Sequence, residues 1–202
     1  MSEPKAYPSL EENPVRDFSL PTPTDLTLAR GGLRMLFAVL GVMFALFAVA
    51  YSMRMHMGDW QVLVDPWQLW LNTAMLIAGS VAMEIARQSW RRGRTQWVGP
   101  ALLIGGGFAV VFLAGQLWVW SMLTSEGYLV NGNPATSFFY LITGLHGLHI
   151  VVGLGFWAYG TGKVLRGAES AQRAGVSIEL CSSYWHFLLV VWLGLFALLA
   201  NT

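Results

Sequence analysis

Thr136-Ser137-Phe138-Phe139-Tyr140-Leu141-Ile142-Thr143-Gly144-Leu145-His146-Gly147-Leu148-His149, carried on by apolar residues to Tyr159, is the stretch that decides how this chain folds. It has the roughly 20 residues a helix needs to cross a bilayer. In lipid every backbone polar group must be satisfied within the segment, so a spanning helix is the reading and a strand is not. Two histidines sit three residues apart in its middle, which puts them on one helix face. Ionisable side chains at membrane depth are costly and are either paired or functional.

Four more runs of this kind flank it: residues 31–53, 67–86, 98–123 and 178–200. Pro66, Pro100 and Pro134 each stand at the start of a run, where a proline costs the helix no hydrogen bond. The expectation is an all-α integral membrane protein, a bundle of five transmembrane helices. Composition agrees. Hydrophobic residues make up 55% of the chain and charged ones 11%, against about 25% charged in soluble domains. Ten tryptophans suit membrane-interface belts. A net charge of +1 gives no electrostatic case for nucleic acid. Cys181, the single cysteine, forms no internal disulfide and no metal cluster alone.

Residues 1–28 hold five of the eight prolines, show little periodicity and do not read as a signal peptide. They are expected to be a flexible cytoplasmic tail, with residues 29–202 forming the transmembrane unit. Loop charges set the orientation. Arg87, Arg91, Arg92 and Arg94 follow the second run, and Lys163, Arg166 and Arg173 follow the fourth. The third loop has Glu126 and no cation, and the first has Asp59 and Asp65 against Arg54. Positive loops stay inside, so the N-terminus is expected inside and the C-terminus outside. Gly105, Gly106, Gly107 and Gly115 in the third run, and Gly144, Gly147, Gly153 and Gly155 in the fourth, suit close helix packing.

The polar residues within the runs are the candidate site. With helix five running antiparallel to helix four, His186 lies about 12 Å into it at 1.5 Å per residue, at a depth similar to His149. Glu179 precedes His186 by seven residues on the same face. Glu84 and Arg87, at i and i+3, are placed to pair at the inner end of helix two. Three readings stand open: haem ligation by histidines from two helices, a proton relay or ion path through the histidines and Glu179, and interhelical hydrogen bonding that fixes packing. Against the first, His146 and His149 are too close on one helix for two haems, and His56 lies outside the runs. Gly105-Gly106-Gly107 has no following lysine and is not a phosphate loop. No catalytic constellation, metal-ligand set or redox centre is expected in the chain.

The stretch from Thr136 to His149 resembles the signature of subunit III of haem-copper oxidases. So does Tyr184-Trp185-His186-Phe187 with Val190-Val191-Trp192, following Glu179 at the family's distance, and Leu71-Asn72-Thr73 also fits. The resemblance runs from about Leu33 to the C-terminus. Family members have seven helices, or five in a shortened bacterial form that this chain matches. The resemblance implies a cofactor-free core subunit in a bacterial cytoplasmic membrane. It would pack on subunit I, which holds the haems and copper, with a subunit II alongside. It would bind phospholipid and support proton uptake. It makes His146, His149, Glu179, Tyr184, Trp185 and His186 a polar seam with structural, lipid-related or proton-related roles, and none of them a metal ligand. The chain also departs from the family. A buried glutamate of the first helix is matched by Gly41, no carboxylate follows Gln116, and an aspartate after Trp-His-Phe is replaced around Leu188-Leu189. A glycine or leucine exchanges no proton.

The leading expectation is therefore a supporting subunit of a respiratory terminal oxidase that oxidises cytochrome c. A quinol oxidase subunit or a nitric oxide reductase accessory protein is the alternative within the same chemistry. An independent membrane cytochrome or transporter is the alternative outside it.

Overall fold

A computed structural model describes residues 23–58, 67–129, 133–167 and 171–201. They form five long helices: α1 Pro23–Arg54, α2 Gln68–Arg91, α3 Val98–Ser125, α4 Pro134–Leu165 and α5 Ala171–Ala200, with one 3-10 turn at Thr95–Trp97. All five are long and apolar enough to cross a membrane. Most of the tail, residues 1–22, and the loop residues Asp59, Asp65 and Pro66 lie outside the described residues.

The helices begin and end where local chemistry dictates. Asn133 caps α4 by accepting from the Ala135 N–H at 3.1 Å, and Pro134 takes the first helical position, where its missing N–H is no loss. Pro100 sits in the first turn of α3 for the same reason. At the end of α2, Gly93 turns the chain with φ +71°, a conformation costly for any residue with a Cβ. Its N–H reaches the Trp90 carbonyl at 3.0 Å, and Arg94 N–H reaches Ser89 at 2.9 Å.

The helices outrun the apolar segments that announced them, α2 reaching Arg91. α1 starts at Pro23, inside the expected tail; α4 continues to Leu165; and α5 starts at Ala171. Hydropathy marks only the part of a helix in contact with acyl chains, and the hydrogen-bond ladder continues past it into the head-group region.

α2 packs between α3 and α5, and α4 closes a four-helix ring by packing on the same two helices. α1 lies outside the ring against α5 and α4. The tightest approach is α2 on α3, where a Cβ on Gly79 would stand 3.3 Å from the Gly105 carbonyl oxygen. This is close backbone packing through small residues. Elsewhere the glycines seat side chains. Gly106 lies under the Trp157 ring, Gly115 against the Asn72 amide, and Gly153 against Tyr184, whereas Gly107 and Gly155 face open space. Met83, Phe112, Phe139, Ile142, Ile150 and Trp192 fill the core. Outside, α1 exposes Met35, Val39, Val42 and Leu46, and α4 exposes Leu148, Val151 and Phe156. That apolar girdle is what contact with lipid demands.

Candidate functional site

The core of the ring holds His146. Its side chain is fully buried, with Phe44 of α1, Phe112 of α3 and Trp192 of α5 around it at centroid distances of 6.2, 6.0 and 5.1 Å. Neither ring nitrogen has a hydrogen-bond partner. Trp192 is itself fixed, donating its indole N–H to Thr73 Oγ1 of α2 at 2.9 Å. The imidazole therefore works as a flat side chain in an aromatic cluster, edge-on to Phe44 and Phe112, that joins four helices.

His149, one turn on, faces outward toward α1. Its Nδ1 lies 2.7 Å from the Leu145 carbonyl and its ring sits edge-on to Phe44 at 5.6 Å. Tyr184 of α5 donates its hydroxyl to the His149 carbonyl at 2.9 Å, a bond that ties α5 to α4. Trp185 beside it is buried. Gly153 provides the space, since a Cβ there would stand 2.5 Å from Tyr184 Cε1.

His186 points elsewhere. Its Nδ1 lies 2.7 Å from Ser80 Oγ and its Nε2 lies 3.3 Å from Glu84 Oε2, both on α2. Glu84 also accepts from Arg87 at 2.8 Å, from Gln88 at 3.1 Å and from Ser182 at 3.5 Å. Glu179, in turn, takes Arg30 of α1 at 3.0 Å and Arg91 of α2 at 3.4 Å. The structure thus does not gather the histidines into one seam between α4 and α5. His146 is central, His149 serves the α1–α4–α5 contact, His186 with Glu84 serves the α2–α5 contact, and Glu179 bridges three helices at the arginine-rich end. Similar depth along antiparallel helices leaves rotation about the helix axis open. α5 turns its His186 face to α2 and its Tyr184 face to α4.

Sequence reasoning missed Ser80, and it missed the contacts of Thr73 with Trp192 and of Arg30 and Arg91 with Glu179. α2 carried a signal: Thr73, Ser80, Glu84 and Arg87 recur at spacings of seven, four and three, which places them on one face. Gly41 lies where no heavy atom falls within 4 Å of an added Cβ. Among the described residues, no three His, Cys, Asp or Glu side chains come together in a way that would hold a metal ion.

One apolar cavity of about 390 Å³ opens between α1, α4 and α5. Gly32, Leu36, Phe156, Trp157, Cys181 and Tyr184 are among the residues that line it.

The family model described as cytochrome c oxidase subunit III matches residues 32–200, which takes in nearly the whole of the five-helix unit. A probable cytochrome c oxidase subunit 3 of Nocardia farcinica is 31% identical over 164 residues, covering 77% of this chain and 76% of the relative. Cytochrome c oxidase subunit 3 of Pylaiella littoralis is 31% identical over 82% of this chain and 65% of its own length. That of Synechocystis is 30% identical over 63% of this chain, but the match spans only 54% of that relative. The chain belongs to the cytochrome c oxidase subunit III family.

Proposed function

We propose that this chain is a cofactor-free core subunit of a respiratory haem-copper terminal oxidase that oxidises cytochrome c and reduces O2. It would sit in the bacterial cytoplasmic membrane and stabilise the catalytic subunit I, with a copper-bearing subunit II alongside. The observation that carries this is the family match across all five helices. The side chains support a scaffold. His186 has both nitrogens engaged, His146 is enclosed by three aromatic rings, and His149 Nδ1 is held by its own helix. Partners of this kind do not suit bis-histidine haem ligation, which wants two histidines facing one iron. The end carrying Arg91, Arg92, Arg94 and Arg166 would face the cytoplasm, which puts the N-terminus inside.

The reading includes phospholipid binding, which the apolar walls of the cavity beside α1 support. A proton-uptake role has less support. The family's buried glutamate is matched by Gly41 and the carboxylate after Trp-His-Phe by leucine, while the two carboxylates in α2 and α5, Glu84 and Glu179, are held by arginines. The polar groups then work as fixed interhelical ties.

Mild solubilisation followed by mass spectrometry and a visible spectrum of whatever accompanies this chain tests the reading. A haem-bearing large subunit together with a copper-bearing subunit is expected. Quinol turnover without the copper-bearing subunit would reassign the electron donor. Haem bound by the isolated chain, or ion transport by it alone in liposomes, would replace the subunit reading with a membrane cytochrome or a transporter.

A further inference from the structure

A second depression lies away from α1, at the turn between α2 and α3. Ile85, Gln88, Ser89, Arg92, Arg94 and Trp97 line a cavity of about 300 Å³ there. The turn that builds it is locked by the backbone bonds around Gly93 and by the bond from Arg94 N–H to the Ser89 carbonyl. Arg92 and Arg94 are both exposed, and no carboxylate lines the cavity. The nearest acidic residue along α2, Glu84, is already held by Arg87, Gln88 and Ser182. Arg92, Arg94, Ser89 and Trp97 thus border one small space. Forked N–H donors of this kind match the oxygens of a phosphate.

The surface below the cavity is apolar. Ile85, Val81 and Ile77 are all exposed and stand four residues apart on one face of α2, so they form a track running from the cavity into the membrane-spanning part of the helix. From Arg92 to Ile77 that track covers about 22 Å at 1.5 Å per residue, comparable to an extended acyl chain. Trp97, with its half-exposed ring, stands at the level where indoles favour the membrane interface. A basic pocket with an apolar track beneath it fits one amphiphile.

We propose that this depression binds the phosphate of an anionic phospholipid, through Arg92, Arg94 and Ser89, with an acyl chain lying along Ile85, Val81 and Ile77. The site is separate from the cavity beside α1. It deepens the lipid-binding part of the function proposed above and rests on the chain being a membrane subunit, but on no particular electron donor. The phosphate is the shared chemistry of a lipid head group and of free phosphate, and the apolar track selects the lipid.

The test uses the whole solubilised complex that contains this chain, placed in phosphatidylcholine nanodiscs doped with phosphatidylglycerol. Lipid retained on ejection is counted by native mass spectrometry, and the haem spectrum is recorded alongside. In the Arg92→Gln/Arg94→Gln variant the apparent affinity for one phosphatidylglycerol is expected to fall about thirtyfold, the effect of removing two arginines near a membrane surface. The Arg92→Lys/Arg94→Lys variant is expected to recover part of it. An unchanged phosphatidylglycerol count in the Gln variant overturns the proposal. So does displacement of that lipid by millimolar inorganic phosphate without loss of affinity in an Ile85→Asp variant, because the site would then take free phosphate. Should the Gln variant not assemble, the unmodified complex decides. Phosphatidylglycerol is expected to protect Arg92 and Arg94 from phenylglyoxal where phosphatidylcholine does not, and equal modification in both lipids overturns the site. A complex without haem would count against the oxidase reading and leave the lipid count to be read independently.

Discussion

Gly153 and His146 show, at the scale of single residues, how the bundle is held. Gly153 makes room for a tyrosine ring whose hydroxyl is already bonded to the His149 carbonyl, so the ring has no free direction in which to retreat. Gly153→Ala is expected to lower the stability of the solubilised protein by about 1–3 kcal/mol, the usual cost of overpacking. Gly155→Ala, two residues away and facing open space, is expected to lose nothing. Thermal unfolding of the two variants in one detergent checks the contrast. His146 makes no hydrogen bond, so His146→Leu removes ring packing but leaves no donor or acceptor stranded. Stability within about 1–2 kcal/mol of the parent is expected, with O2 turnover by the complex kept. A folded variant with turnover lost would return His146 to the proton path. Glu84 behaves oppositely, because it ties Arg87 and His186 at once. Glu84→Ala is expected to cost on the order of 1–2 kcal/mol, less than the loss of a fully buried partner because the pair is about a quarter exposed. Adding His186→Ala to it is expected to cost less than the two single changes combined.

At the scale of elements, α1 is the loosest part of the bundle. It lies outside the ring and is held by the stack of Phe37 on Phe187 at 4.4 Å, by Phe44 against the two histidines, and by the Arg30–Glu179 pair. Glu179→Gln removes the carboxylate that Arg30 and Arg91 share. Both pairs are a third or more exposed, so the global stability change is expected to stay below about 1 kcal/mol. The local effect is expected at the Arg30 end of α1, as faster amide hydrogen exchange there, and high salt is expected to reproduce it in the parent protein. The five helices were legible in the sequence because each is an uninterrupted apolar run between charged or proline-marked loops. Their ends were less so, since hydropathy stops reporting where the head groups begin. The partners of the histidine stretch did not follow from spacing. Whether His186 faces α4 or α2 depends on how α5 is rotated in the assembled ring, and that is fixed by core residues such as Trp192 and Met83, which are spread over the whole chain. The bond from Arg30 to Glu179, 149 positions away, was not legible either.

At the scale of the whole molecule, the four-helix ring is closed by aromatic packing and its polar ties lie mostly between adjacent helices. Its exterior is apolar over most of the described spans. Such a molecule is suited to lying in the membrane against a catalytic partner and holding lipid beside it. The most direct measurement is oxygen consumption, with reduced cytochrome c as donor, by the complex drawn from mildly solubilised membranes through a tag on this chain. The account predicts that the chain brings down a haem- and copper-containing partner and that the recovered complex consumes oxygen. Recovery of this chain without haem, or with haem bound in the isolated chain itself, would contradict it.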